Sequence, residues 1–193
     1  RDSALSQLDY PAVGDWVIHT KNAQHDRRVL ITEILKRDSI IIRRSPKQEP
    51  VPQIVATNVD ILGIVTSADQ PLDERRLERY LVTAFSSGVV PVIIVNKSDL
   101  KGTVQRAHYV RTQYPELKVH ETCGIHESEE LGIQEITGDG LTVALTGSSG
   151  VGKSTLVNRL LGEDIVRTGE VRADGTGRHT TVPVSYTHLT LPT

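Results

Sequence analysis

The chain has 193 residues, 37% of them hydrophobic and 24% charged, with a formal net charge of −2. That is enough apolar material for a packed core, in one domain or in a small one plus a larger one, and it excludes disordered, collagen-like and coiled-coil chains. A single cysteine, Cys123, excludes an internal disulfide framework and a structural cysteine–zinc cluster, and the longest apolar run, Val89 to Val95, is too short to span a bilayer.

In chain order, the first fifty residues read as short β-strands. They are Trp16–His19, Val29–Leu35 and Ile40–Arg43, punctuated by Gly14, Asp26 and Asp38. Such spacing without helical periodicity suggests a small barrel or part of one. Residues 1–54 carry nine Lys and Arg against seven Asp and Glu, whereas the remainder is acidic. The excess concentrates in Lys36, Arg37, Arg43, Arg44 and Lys47, offset nearby only by Asp38, and such a cluster could meet phosphates or form a solvated hairpin face. Ser45 to Pro52 has three prolines in eight residues and reads as a linker or extended loop.

The pattern then changes. Asp60 to Val65 is an apolar strand of the buried type, followed by Leu77, Tyr80, Leu81, Ala84 and Phe85 at helical spacing, with Gly88 closing the helix. Val89–Val95 is a second such strand, a weaker helix lies within Val104–Tyr114, and Val119 begins a short strand. Leu141–Leu145 is another strong strand, and Lys153–Leu161 is a helix with Leu156, Val157, Leu160 and Leu161 on one face. Strands alternating with helices predict an α/β domain with a mostly parallel sheet.

Gly147-Ser148-Ser149-Gly150-Val151-Gly152-Lys153-Ser154-Thr155 fits G-x-x-x-x-G-K-[ST] between an apolar strand and a helix, the context a P-loop requires. Its glycines let backbone N–H groups fold around a phosphate chain, Lys153 reaches the β- and γ-phosphates, and the Ser154 hydroxyl ligates Mg2+. Asn96-Lys97-Ser98-Asp99 follows the strand Val92–Val95 and resembles the guanine-reading N-K-x-D motif of GTPases; its Asp99 can accept from a guanine's N1–H and exocyclic amine. Thr122-Cys123 resembles the Ser-Ala segment that backs the base, although Cys123 could equally be a small buried apolar residue. In ordinary GTPases the P-loop comes first. Here Asn96–Asp99 precedes it, so the domain reads as circularly permuted.

A permuted GTPase behind a small β-barrel resembles the RsgA (YjeQ) family of ribosome-biogenesis GTPases. Val13–Val17, Ala56–Asp60, Arg75–Leu81 and Gly177-Arg178-His179-Thr180-Thr181, the last similar to a switch I segment, fit that family over roughly residues 10–182. The resemblance implies an OB-fold RNA-binding domain over 1–54, with linker, and a permuted P-loop GTPase over 55–182. It also implies GTP/GDP and Mg2+ as ligands, and the small ribosomal subunit and its rRNA as partners of a cytoplasmic, monomeric enzyme with no membrane contact. One of Thr180 and Thr181 is expected to ligate Mg2+. His179 either positions the attacking water or is an exposed switch histidine. Trp16 is expected in the barrel core rather than stacked on an RNA base.

Two family elements are not found. Asp174-Gly175-Thr176-Gly177 matches D-x-x-G in letters but precedes Thr180, and the family's zinc domain has no ligands in a chain with one cysteine. Residues 183–193, ending Leu189-Thr190-Leu191-Pro192-Thr193, look like translated adapter DNA or, alternatively, a threonine-rich strand. Methionine is absent, so the chain is expected to begin within a longer protein. Without an aspartate and glycine after the switch threonine, it is also expected to be incomplete at its C-terminus and impaired in stimulated hydrolysis. A ribosome-binding module using GTP as a conformational ligand, or another permuted assembly GTPase, are the alternative readings.

Overall fold

The computed structural model describes residues 7–21, 29–44, 52–125, 136–138, 140–163 and 166, and the chain divides between Val59 and Asp60 into two units. No helix among the described residues is long and apolar enough to cross a membrane.

The first unit contains two antiparallel pairs. Strand β1 (Val17–Lys21) pairs with β2 (Val29–Ile34), and β3 (Ile40–Arg44) pairs with β4 (Pro52–Thr57), each pair with one register shift. The proline-rich reading of 45–52 hid β4. Pro52 occupies its first position, where a missing N–H is tolerated, and Gln53–Thr57 then complete the ladder. Ala56 and Thr57 therefore belong to the first unit's ladder rather than leading into the second unit's sheet.

Arg37 and Asp15 knit these strands together. The Arg37 Nε and Nη2 donate to the two Asp15 carboxylate oxygens, both at 2.7 Å, while Nη1 and Nη2 also donate to the carbonyls of Leu8 (2.7 Å) and Tyr10 (2.9 Å). Asp15 further accepts from the Ala12 N–H at 2.7 Å and the buried Thr57 hydroxyl at 2.8 Å. Gly14 makes this approach possible: its φ is 93°, and a Cβ there would stand 2.1 Å from the Thr57 carbonyl oxygen. Arg37 is thus a structural cation and not a member of a free phosphate-binding cluster. Its partner lies 22 residues upstream, outside the local window in which only Asp38 offsets the charge. Lys36 and Arg43 are exposed, and Arg43 reaches Gln53 at 3.4 Å. Lys47 lies outside the described residues.

The expected core position of Trp16 is not met, since it is 58% exposed. Strand alternation turns Val17 inward and places Trp16 and Ile18 on the outer side.

The second unit is an α/β layer structure. Strands β5 (Ile61–Ser67), β6 (Val90–Asn96), β7 (Lys118–Thr122) and β8 (Val143–Gly147) form a parallel sheet in the order β7-β6-β5-β8. β6 is central, and Val92 to Asn96 are almost wholly buried, which explains a continuous apolar run rather than an alternating one. Helix α1 (Glu74–Ser86) is started by Asp73, whose carboxylate accepts from the Arg76 N–H at 3.0 Å, and it buries Leu77, Leu81 and Ala84. Phe85, expected on the buried stripe, is 62% exposed at its margin. Helix α2 (Thr103–Gln113) buries only Thr103, Ala107 and Val110, small residues whose weak amphipathicity made it the faintest helix in the sequence.

Helix α3 (Lys153–Leu161) packs Leu156 into a cluster with Ile61, Val65, Val92, Ile94, Ile136 and Val151. Asn158, between the apolar positions of that helix, is buried because its amide pairs with the Val166 backbone through two 2.7 Å hydrogen bonds. Gly63 lies on the same face of β5, where a Cβ would come within 2.6 Å of the Leu145 side chain.

Candidate functional site

Register brings the described nucleotide motifs to one end of the sheet. Ser67 pairs with Asn96, Asn96 with Thr122, and Val65 with Gly147, so β5, β6, β7 and β8 all end side by side at their carboxyl ends. In a parallel α/β sheet that is where ligands bind.

The loop after β8 needs its glycines. Gly147 has φ 146°, and a Cβ there would meet the Val65 carbonyl oxygen at 2.2 Å. Gly150 and Gly152 adopt φ 80° and 92°, and a Cβ at Gly152 would lie 2.3 Å from the Asn96 amide nitrogen. Gly152 is the N-cap of α3, so the loop delivers the chain into a helix N-terminus with its positive dipole end. The Lys153 ammonium donates to the carbonyls of Gly147 (3.0 Å) and Ser148 (2.7 Å) within its own loop. Burial pushes its pKa below the usual lysine value. Left-handed glycines, a helix N-terminus and a desolvated lysine at one place fit a phosphate chain. Ser154 lies in the first turn of α3, half-buried beside Lys153.

The loop after β6 is joined to the P-loop by Asn96. Its Nδ2 donates to the Val151 carbonyl at 2.8 Å, and its Oδ1 accepts from the Gly124 N–H at 3.2 Å. Lys97 sits at φ 64°, held there by bonds from the Leu100 N–H (3.0 Å) and the Thr103 hydroxyl (2.9 Å) to its carbonyl. The Ser98 N–H donates to the Thr122 carbonyl at 3.0 Å, tying this loop to β7. Asp99 is exposed, and its Oδ1 accepts from the Cys123 thiol at 3.0 Å. It is this thiol, and not the hydroxyl of Thr122, that reaches Asp99. The Thr122 Oγ1 is buried without a hydrogen-bond partner among the described residues. Cys123 is itself 2% exposed, so it is at once a small buried residue and a donor to the carboxylate. Its carbonyl accepts from the Arg159 guanidinium on α3.

The structure therefore brings together Asn96, Lys97, Ser98, Asp99, Thr122, Cys123 and the loop 147–155. His179, Thr180, Thr181 and Asp174–Gly177 lie outside the described residues. Sequence reading missed the turn between β5 and α1. There, Gln70 Nε2 donates to the Ser149 carbonyl at 3.0 Å and Asp69 accepts from Lys97 Nζ at 2.5 Å, while from the first turn of α1 Arg76 Nη1 donates to the Ser148 hydroxyl at 2.6 Å. No motif announces Asp69 or Gln70. Their only signal is position after a strand that ends at the site.

The family profile described as RsgA GTPase matches residues 34–191. The Small ribosomal subunit biogenesis GTPase RsgA 1 of Oceanobacillus iheyensis is 42% identical over 94% of this chain and 52% of its own length. The Small ribosomal subunit biogenesis GTPase RsgA of Methanosarcina acetivorans is 38% identical over 89% of this chain and 47% of its own. Among solved structures, YjeQ from Thermotoga maritima superposes with a TM-score of 0.58 at 24% identity, covering 79% of this chain and 52% of that one. YloQ, described as a circularly permuted GTPase, gives 0.54 at 24% identity over 83% and 52%. The chain spans about half the length of the relatives it matches.

Proposed function

The chain belongs to the RsgA GTPase family, and on that premise we propose that its second unit binds guanine nucleotide between Gly147–Thr155 and Asn96–Asp99, and that the protein hydrolyses GTP to GDP during late maturation of the small ribosomal subunit. The observation carrying this reading is Asn96. One amide donates to the P-loop and accepts from the segment after β7, so three stretches distant in the chain converge on a single side chain.

The roles follow from chemistry. Asp99 accepts from the guanine N1–H and exocyclic amine, a donor pair adenine does not present, and Cys123 steadies it by donating to Oδ1. Backbone N–H groups of Ser148 to Lys153 cradle the phosphates. Lys153 exchanges the two loop carbonyls for phosphate oxygens, which are better partners for an ammonium than neutral carbonyls. Ser154, with Thr180 or Thr181, would hold Mg2+, which neutralises charge on the phosphoryl group when bound. His179 would orient the attacking water. Phosphate release from GTP by the full-length protein should require Mg2+ and rise strongly when purified small ribosomal subunits are added, whereas the 193-residue chain should be impaired in that stimulated rate. A rate indifferent to subunits would favour GTP as a purely conformational ligand.

The first unit is proposed as an OB-fold that meets ribosomal RNA through Arg43 and Arg44, in a cytoplasmic, monomeric protein. Each phosphate contact should contribute about 0.7–0.9 to the slope of log affinity against log salt. Charge reversal at both arginines, measured by filter binding to small-subunit rRNA, should lower affinity and flatten that slope. An unchanged slope would return them to a solvated face.

A further inference from the structure

Asp69 belongs to neither nucleotide motif, yet it is bound more firmly than a turn residue needs. Its Oδ1 accepts from the Ser67 hydroxyl and its Oδ2 from Lys97 Nζ, both at 2.5 Å. The turn that carries it is pinned from α2, where Arg106 donates to the Ser67 carbonyl at 3.3 Å and the Gln70 carbonyl at 3.0 Å. Burial alone would raise the Asp69 carboxyl pKa, but the Lys97 and Ser67 hydrogen bonds outweigh it and hold the group below its usual value, so it is ionised at neutral pH.

Lys97 is thereby fixed at both ends. Its backbone is locked in the left-handed region, two residues from Asp99, and its ammonium is held at the β5–α1 turn. The four-methylene stem must run between those anchors. A lysine stem so stretched offers an apolar strip with its charge drawn off to one side, a suitable wall for the face of a planar base.

Resting on the guanine-nucleotide reading above, the geometry points to Asp69 as a positioning residue of the base pocket: by holding the Lys97 ammonium it extends the Lys97 stem as the wall against which the purine lies while Asp99 reads its edge. Asp69 acts through Lys97 and touches no nucleotide itself. Its effect therefore belongs to the base and not to the phosphates.

The test is calorimetric titration of the chain with GDP, GMP and inorganic pyrophosphate. Asp69→Asn keeps the shape of the side chain and removes its charge. It should weaken GDP and GMP by the same factor, about threefold to fivefold for a partly exposed ion pair, and leave pyrophosphate unchanged. In a Lys97→Met background, which keeps an apolar stem without the ammonium, the same change should have no further effect. Asp69→Glu should recover most of the loss. Unchanged GDP affinity, equal weakening of pyrophosphate, or an undiminished effect in the Lys97→Met background would each overturn the assignment. Should the native chain bind pyrophosphate but neither GDP nor GMP, the guanine-nucleotide reading itself fails, whatever the variants do.

Discussion

Lys153→Ala is expected to lower GTP hydrolysis by on the order of a thousandfold, with Ser154→Ala producing a loss of similar rank. Lys153 is the cation that the fold places at the mouth of the P-loop, and burial has already stripped part of its hydration. Its two bonds to loop carbonyls are the kind an ammonium gives up readily when a phosphate arrives. Removing it takes a preorganised charge from the place where negative charge grows during phosphoryl transfer. Single-turnover phosphate release at saturating Mg2+–GTP measures the effect. A melting scan alongside it distinguishes lost chemistry from a collapsed loop. Turnover near the native rate in a folded Lys153→Ala variant would remove the P-loop assignment.

The second large effect concerns the first unit. Arg37→Ala should destabilise it by about 3–5 kcal/mol, because the side chains of Arg37 and Asp15 are only 12% and 1% exposed and deletion strands a buried carboxylate. Set against a typical total of about 5–15 kcal/mol for a domain, that loss leaves the unit close to unfolding. Arg37→Lys should recover little, since a point charge cannot serve both carboxylate oxygens and two carbonyls at once. Trp16 is the only tryptophan and lies in this unit, so its fluorescence reports the transition selectively. Burial raises the Asp15 pKa, but hydrogen bonds from Arg37, the Ala12 N–H and Thr57 outweigh it and hold the carboxyl below its usual value. The stabilisation is therefore complete above about pH 4 and lost as pH falls through the folded-state value. Native protein should show that acid loss in the Trp16 signal, and Asp15→Asn should not.

What the sequence disclosed, and what it withheld, follows from how far each signal reaches along the chain. The P-loop is legible because nine consecutive residues carry both the backbone conformation and the chemistry, with a strand before and a helix after. Asn96–Asp99 is legible for the same reason. The parallel sheet is legible because strands buried on both faces leave continuous apolar runs. Strand β4 escaped because Pro52 marks its start, and a proline cluster reads as a break. The Arg37–Asp15 pair escaped because charge counted locally cannot register a partner 22 residues away. Asp69 and Gln70 escaped for a related reason: they occupy an ordinary turn, and only the pairing of β5 with β8 carries that turn to the P-loop. Trp16 misled because Gly14-Asp15-Trp16-Val17 fixes a turn without fixing which way the strand after it faces.

The central claim is that Asn96–Asp99 and the P-loop, reversed in chain order, form one guanine-reading site. Equilibrium titration with GDP, ADP and xanthosine diphosphate, on the native chain and on Asp99→Asn, tests it most directly. Xanthine carries a carbonyl where guanine has its exocyclic amine, so an asparagine amide can donate where the aspartate accepted. The native chain should prefer GDP to ADP by about a hundredfold, the worth of two charge-assisted hydrogen bonds at the base edge. Asp99→Asn should lose that preference and gain affinity for xanthosine diphosphate. Equal affinity of the native chain for GDP and ADP, or an Asp99→Asn variant that still prefers GDP over xanthosine diphosphate, would contradict the account.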